Sequence, residues 1–172
     1  MRYKEPGKKA PCREACPAHV DIPRYLRYVA IGDAEAAASV IREVIPFPET
    51  VGRVCFRPCE DKCNCRQLAD SIPINAVKRY ASDTAGIVPR KFGEPTKKEK
   101  VAIVGSGPAG LTAAVCLRER GYGVSVFERE SVPGGMMTAC IPEYRLPLDI
   151  VSREIKDIEL SGVPIHLNTE LG

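Results

Sequence analysis

Residues 52–65, GRVCFRPCEDKCNC, carry four cysteines within eleven positions: Cys55, Cys59, Cys63 and Cys65. Cys12 and Cys16 precede them, so six of the eight cysteines fall in the first 65 residues, while Cys116 and Cys140 stand alone. Thiols bunched in this way read as disulfides, metal ligands or redox groups, with free structural thiols as the remaining reading. The basic start, MRYKEPGKKAPC, is followed by no apolar run, so neither a secretory leader nor a membrane span is read there. The chain is therefore expected in the cytoplasm, where the glutathione pool keeps thiols reduced. Disulfides are disfavoured in that setting, and metal ligation or redox chemistry becomes the working reading.

The chain has 172 residues, enough for one ordinary domain or two small ones. With 44% hydrophobic and 27% charged residues it reads as folded rather than disordered. A formal net charge of +3 is too weak to argue for nucleic acid or a membrane surface as partner.

The first half reads as small helices joined by cysteine-rich loops. DIPRYLRYVA opens on Asp21 as N-cap, with Pro23 in the first turn where a missing N–H costs nothing. Asp33 caps a second helix, GDAEAAASVIREVI, in which Ala36, Ala37, Val40, Ile41 and Val44 form an apolar stripe. The PFP at 46–48 is expected to end it. A third helix is expected over PINAVKRYASD, with Ile74, Val77 and Ala81 on one face. So small a helical unit buries little apolar surface, and a metal centre is the usual staple for one. Residues 84–100, rich in Pro, Gly and Lys, read as a linker between a helical domain over 1–83 and a second domain over 101–172.

Beyond the linker the pattern changes. VAIV at 101–104 is a buried-strand run, a helix is expected from about Pro108 to Arg120, and VSVF at 124–127 is a second strand, the start of a βαβ unit. Gly105, Gly107 and Gly110 form G-x-G-x-x-G between strand and helix. In that motif the first glycine permits the turn, the second admits a pyrophosphate, and the third lets helix and strand pack closely. The helix N-terminus presents unpaired N–H groups to the phosphates. Glu128 closes the second strand 18 residues after Gly110, where a carboxylate accepts the hydroxyl hydrogens of an adenosine ribose and repels a 2′-phosphate. The pattern names a dinucleotide without choosing between FAD and NAD. Downstream, Gly134–Gly135 opens a Pro-punctuated loop that reads either as backbone running close to a ligand or as an ordinary surface loop.

Spacing alone leaves zinc and iron–sulfur close as readings of the cysteine set, since Cys12/Cys16 and Cys55/Cys59 each satisfy a C-x₂₋₄-C pairing loosely. The remaining thiols and histidines read more plainly. Cys116 lies mid-helix as a small core hydrophobe. His19 is expected to serve the local backbone and His166 to be a partly buried structural residue. Arg145 reads as a cofactor contact or an ordinary ion pair.

At this point a family is recognisable. The stretches PCREACPAHVDIPRYL, IPFPETVGRVCFRPCEDKC, INAVKRYASD, VAIVGSGPAGLTAA and PGGMM…IPEYRLP resemble the amino-terminal part of the glutamate synthase small-subunit family of flavoproteins. The same module resembles the front end of dihydropyrimidine dehydrogenase and the large subunit of NADH-dependent ferredoxin:NADP oxidoreductase. The resemblance implies an α plus α/β architecture: a small helical iron–sulfur domain, then the start of a Rossmann-like FAD-binding domain. It implies that FAD is held around Gly105, Ser106, Gly107, Pro108, Ala109, Gly110, Glu128, Arg129, Gly135, Met136 and Arg145. It implies that iron is held by cysteines from the set Cys12, Cys16, Cys55, Cys59, Cys63 and Cys65. A redox cofactor needs an electron partner, and zinc has no redox chemistry, so iron–sulfur is preferred once FAD is in view.

The departures from that family shape the expectation. Relatives with two 4Fe-4S clusters have two further cysteines ahead of Cys12, where this chain has Lys4 and Gly7. Some use Glu or Gln as a ligand in the third helix, where Lys78 and Arg79 stand here. Cys140 takes a position near the flavin segment that is usually glycine. One cluster is expected, on Cys16, Cys55, Cys59 and one of Cys12, Cys63 or Cys65, with a second left open. No second glycine fingerprint follows, so the chain is expected to be a fragment or a split subunit, passing electrons between FAD and cluster beside other redox subunits. No acid, base or nucleophile is assigned as catalytic. The alternative is a docking adaptor with a zinc or structural cluster site and an NAD-binding domain.

Overall fold

In the computed structural model, residues 10–86 and 90–171 are described. The chain divides into two compact units, 1–86 and 87–172. Lys4, Gly7 and the middle of the expected linker lie outside the described residues.

The first unit is helical: α1 (Pro11–Ala15), α2 (Ile22–Ala30), α3 (Ala34–Arg42), α4 (Pro48–Val54), α5 (Pro58–Asp61), a 3-10 turn (Asn64–Gln67) and α6 (Ile74–Ala85). The two expected caps form, with Asp21 accepting the Arg24 N–H and Asp33 the Ala36 N–H. The second helix, however, stops at Arg42, short of the PFP. Past that point Ile45 turns inward and Val44 stays 47% exposed, so the buried stripe is Ala37, Ala38, Val40 and Ile41. Pro48 opens α4 instead of ending α3, because a proline at the first helical position gives up an N–H that has no intrahelical acceptor anyway.

Helix α6 packs against α3 and α4, and α2 against α3. Gly52 permits the α4–α6 approach: a Cβ there would lie 3.1 Å from Arg79 Cβ. Arg53 adds a two-pronged ion pair to Asp83 at 2.8 and 3.0 Å. The core around Tyr25, Ile22, Ile41 and Ala81 also contains two thiols, Cys59 and Cys63. Burying Tyr25 completely demands a partner for its hydroxyl, which donates to Ile74 O at 3.0 Å.

The second unit carries a three-stranded parallel sheet in the order β1 (Lys100–Val104), β2 (Gly123–Phe127), β3 (Ile165–His166). Val101 pairs with Val124 and Phe127 with His166. Helix α7 (Pro108–Glu119) connects β1 to β2. Helices α8 (Met136–Ala139) and α9 (Leu148–Leu160) precede β3. Leu111, Ala114 and Val115 of α7, Val124 and Val126 of β2, and Val151, Ile155 and Ile158 of α9 are all buried. His166 is exposed, stacked on Phe127 at 4.9 Å, rather than partly buried as expected, because its strand position points to solvent.

Candidate functional site

The glycine turn is held by sterics and by one carboxylate. Gly105 sits at φ +92°, which an L side chain resists, and its N–H continues the ladder to Phe127 O at 2.7 Å. A Cβ on Gly110 would lie 2.2 Å from Gly105 O, so only glycine lets α7 start this close to the turn. A Cβ on Gly107 would meet nothing within 4 Å: that face is open to a ligand. Leu111 is the first residue of α7 whose N–H reaches a helical acceptor, Gly107 O at 3.0 Å. The N–H groups of Ala109 and Gly110 therefore precede the helical ladder, at the end where the helix dipole is positive.

Ser106 lies inside the turn, and Glu128 supports it from behind while lining the cavity beside the turn. Ser106 is fully buried. Glu128 Oε2 accepts its N–H at 2.8 Å and its Oγ–H at 2.6 Å, while Oε1 accepts the Glu130 N–H at 3.0 Å. These bonds, led by the Ser106 hydroxyl, hold the Glu128 carboxyl below its ordinary range and favour the carboxylate. With both Oε2 lone pairs occupied, Oε1 is the oxygen left to accept a ribose hydroxyl. The Ser106 hydroxyl in turn accepts the Gly134 N–H at 3.2 Å, and Gly135 packs so closely that a Cβ on it would lie 3.0 Å from Gly107 Cα. Gly134–Gly135 is thus part of the turn's second layer and not an ordinary surface loop. A cavity of about 290 Å³ lies beside Glu128, lined by Val104, Gly105, Phe127, Arg129 and Thr169–Leu171. Arg129 is exposed and paired with Glu130, and Met136 and Arg145 are exposed. Cys140 is exposed at the end of α8, its thiol 3.5 Å from Met136 Sδ.

In the helical unit the six clustered cysteines fall into two groups. Cys16, Cys55 and Cys59 line one small apolar pocket together with Tyr25, Asn75 and Lys78. Three local devices place them. Cys16 ends α1, followed by a turn in which the His19 N–H donates to Cys16 O at 2.8 Å with His19 at φ +50°. Cys55 ends α4, and the Arg57 N–H donates to its Sγ at 3.4 Å. Cys59 rides on α5, whose Glu60 accepts the Asn75 N–H at 2.9 Å and so supplies the negative charge that the α6 N-terminus favours. Burial, reinforced by the neighbouring Cys16 and Cys55, pushes the Cys59 thiol up to about 11. Burial thus favours the neutral form of the Cys59 thiol.

Cys12, Cys63 and Cys65 form the second group. Burial, with Cys63 adding to it, raises the Cys12 thiol, and the Cys65 side chain hydrogen-bonds to Cys63. Cys65 itself is exposed. The lining of the first pocket holds Lys78 and not Cys12, Cys63 or Cys65. Among the described residues no three His, Cys, Asp or Glu side chains converge as the ligands of a single metal ion would. Sequence reasoning did not foresee Lys78 as a buried residue. The signal was present in its spacing: position 78 follows Ile74 by four and precedes Ala81 by three, on the face that α6 buries.

Comparison with known proteins places both halves. Residues 6–87 match the family described as dihydropyrimidine dehydrogenase domain II, 4Fe-4S cluster. Residues 103–148 match the NAD(P)-binding Rossmann-like domain family. The chain is 39% identical to the NADP(+)-dependent formate dehydrogenase subunit beta of Moorella thermoacetica, over 100% of this chain and 28% of the relative. It is 40% identical to the NADPH-Fe(3+) oxidoreductase subunit beta of Geobacter sulfurreducens, over 95% of this chain and 25% of the relative. It is 36% identical to the NAD-dependent dihydropyrimidine dehydrogenase subunit PreT of Escherichia coli, over 95% of this chain and 40% of the relative. The chain thus spans well under half the length of these relatives. With a thiol-lined helical unit ahead of a glycine turn backed by Glu128, the chain joins a region of the 4Fe-4S cluster type found in dihydropyrimidine dehydrogenase domain II to an NAD(P)-binding Rossmann-like region, and it is similar to subunits of NAD(P)-dependent oxidoreductases.

Proposed function

We propose that this chain is an electron-transfer module in which FAD lies on the glycine turn and a 4Fe-4S cluster lies in the helical unit. The carrying observation is the pairing, on one chain, of a dinucleotide turn backed by Glu128 with the pocket of Cys16, Cys55 and Cys59. A nicotinamide delivers two electrons as hydride and a cluster takes one at a time; a flavin supplies the conversion between them. FAD is therefore preferred to NAD on this turn. Gly107 leaves room for the pyrophosphate, Ala109 and Gly110 offer N–H groups to it, and Glu128 Oε1 takes a ribose hydroxyl. The thiols of Cys16, Cys55 and Cys59 would hold the cluster, with Cys12, Cys63 and Cys65 as the reserve for a second. A pocket lined by three thiols suits a soft, thiolate-bound metal, and the flavin turn on the same chain favours redox-active iron–sulfur over zinc.

The physiological unit is a larger NAD(P)H-linked oxidoreductase whose other subunits or segments exchange electrons with this module. It works in a reducing compartment such as the cytoplasm, which suits eight free cysteines. The test is iron, acid-labile sulfide and acid-extracted nucleotide per chain, on anaerobically purified protein with its copurifying partners. Iron with sulfide, FAD, and a blue-region absorbance that dithionite bleaches are the expected results. NAD in place of FAD, or zinc in place of iron, overturns the reading.

A further inference from the structure

Lys78 is 6% exposed, yet it is a lysine. Its chain lines the pocket that Cys16, Cys55 and Cys59 share. Among the described residues its ammonium has no carboxylate in ion-pair contact and no hydrogen-bond acceptor. The Glu60 carboxylate has Oε1 on the Asn75 N–H. A largely buried ammonium gains little from neutral thiols, since an ion drawn partly out of water is stabilised by a charged partner. Beside thiolates ligating iron it has one. A lysine nitrogen is also a poor competitor with soft thiolates for iron, so its value to the site is its charge.

We propose that Lys78 is the counter-charge of a cluster bound by three cysteine thiolates, a non-ligating residue that sets the reduction potential upward. This inference rests on the cluster reading above. A fixed positive charge favours the more negative, reduced state of whatever the thiolates hold. The low polarity of the surrounding Tyr25, Ile22 and Ile74 side chains keeps that charge poorly screened.

The experiment compares wild type, Lys78→Met and Lys78→Arg, each purified anaerobically with its native partners. Iron and sulfide are counted, and the potential is read by titration followed by electron paramagnetic resonance. With iron retained, Lys78→Met is expected to shift the reduced-to-oxidised ratio at a fixed potential about tenfold toward oxidised, equivalent to about 59 mV for one electron. Lys78→Arg is expected to stay near wild type. Loss of iron from Lys78→Met with retention in Lys78→Arg also supports the counter-charge. An unmoved potential in iron-loaded Lys78→Met overturns it while leaving the cluster reading intact. Equal shifts, or equal iron loss, in both variants overturn it too, because the charge was kept in one of them. Wild type without iron overturns both this inference and the reading beneath it.

Discussion

The two units secure their candidate sites by opposite means. In the α/β unit the site is self-supporting: Glu128, Ser106 and Gly134 satisfy one another, and Gly110 fits against Gly105 with no room for a Cβ. In the helical unit three thiols and a lysine line one apolar pocket, with the Arg57 N–H donating to Cys55 Sγ. One site is held by bonds among its own residues, and the other gathers soft donors whose charges, on the reading proposed above, a cluster would balance. The lesson is that a dinucleotide, met through backbone and dipoles, asks for geometry, whereas a metal cluster asks for soft anions that protein alone leaves uncompensated.

The sharpest way to break that contrast is to remove a thiolate. Cys59→Ser is expected to abolish iron binding and to lower the thermal stability of the helical unit. Nucleotide content of the α/β unit is expected to persist, so paired iron and nucleotide assays read the two units separately. The next largest effect falls on the turn. Gly110→Ala forces a methyl onto Gly105 O, and about 1–3 kcal/mol of lost stability with loss of bound nucleotide is expected in denaturant titration. Ser106→Ala takes the hydroxyl donor from Glu128 Oε2 while the Gly134 N–H keeps its bond to Ser106 O, at about 1–3 kcal/mol by the same measurement, with iron content unchanged.

Acid sharpens the comparison further. Glu128 is held ionised in the folded state, so its contribution is present above the ordinary carboxylate range and is lost as pH falls through its lowered folded value. Glu128→Gln is expected to flatten the acid limb of stability for the α/β unit only. The smallest effect is Asp33→Ala, which removes an exposed N-cap from α3 and is expected to cost about 1 kcal/mol, with both cofactors retained.

Much of this was legible in residue order. The caps Asp21 and Asp33 announce themselves because a capping bond spans only three residues. The β1–α7–β2 unit is read from apolar runs around a glycine turn, and the observed strands end within a residue of those runs. Helix α4 was hidden because Pro48 serves equally as a stop and as a first helical residue. Helix α9 was hidden because its buried positions include Glu154 and Asp157, which blur an apolar stripe. Within the site, the glycine positions were legible, but Ser106 as an inward support was not, since its partners lie 22 and 28 residues away.

The sequence by itself determined the two chemistries: a cluster of thiols, and a glycine turn closed by an acid. Both follow from residue type and short spacing, which need no fold to be recognised. Only the tertiary structure decided that Cys16, Cys55 and Cys59 share a pocket, that Cys12, Cys63 and Cys65 stand in another group, and that Lys78 faces the first. Those groupings depend on how α1, α4, α5 and α6 come together, and no local rule states which buried side chain will meet which across that distance.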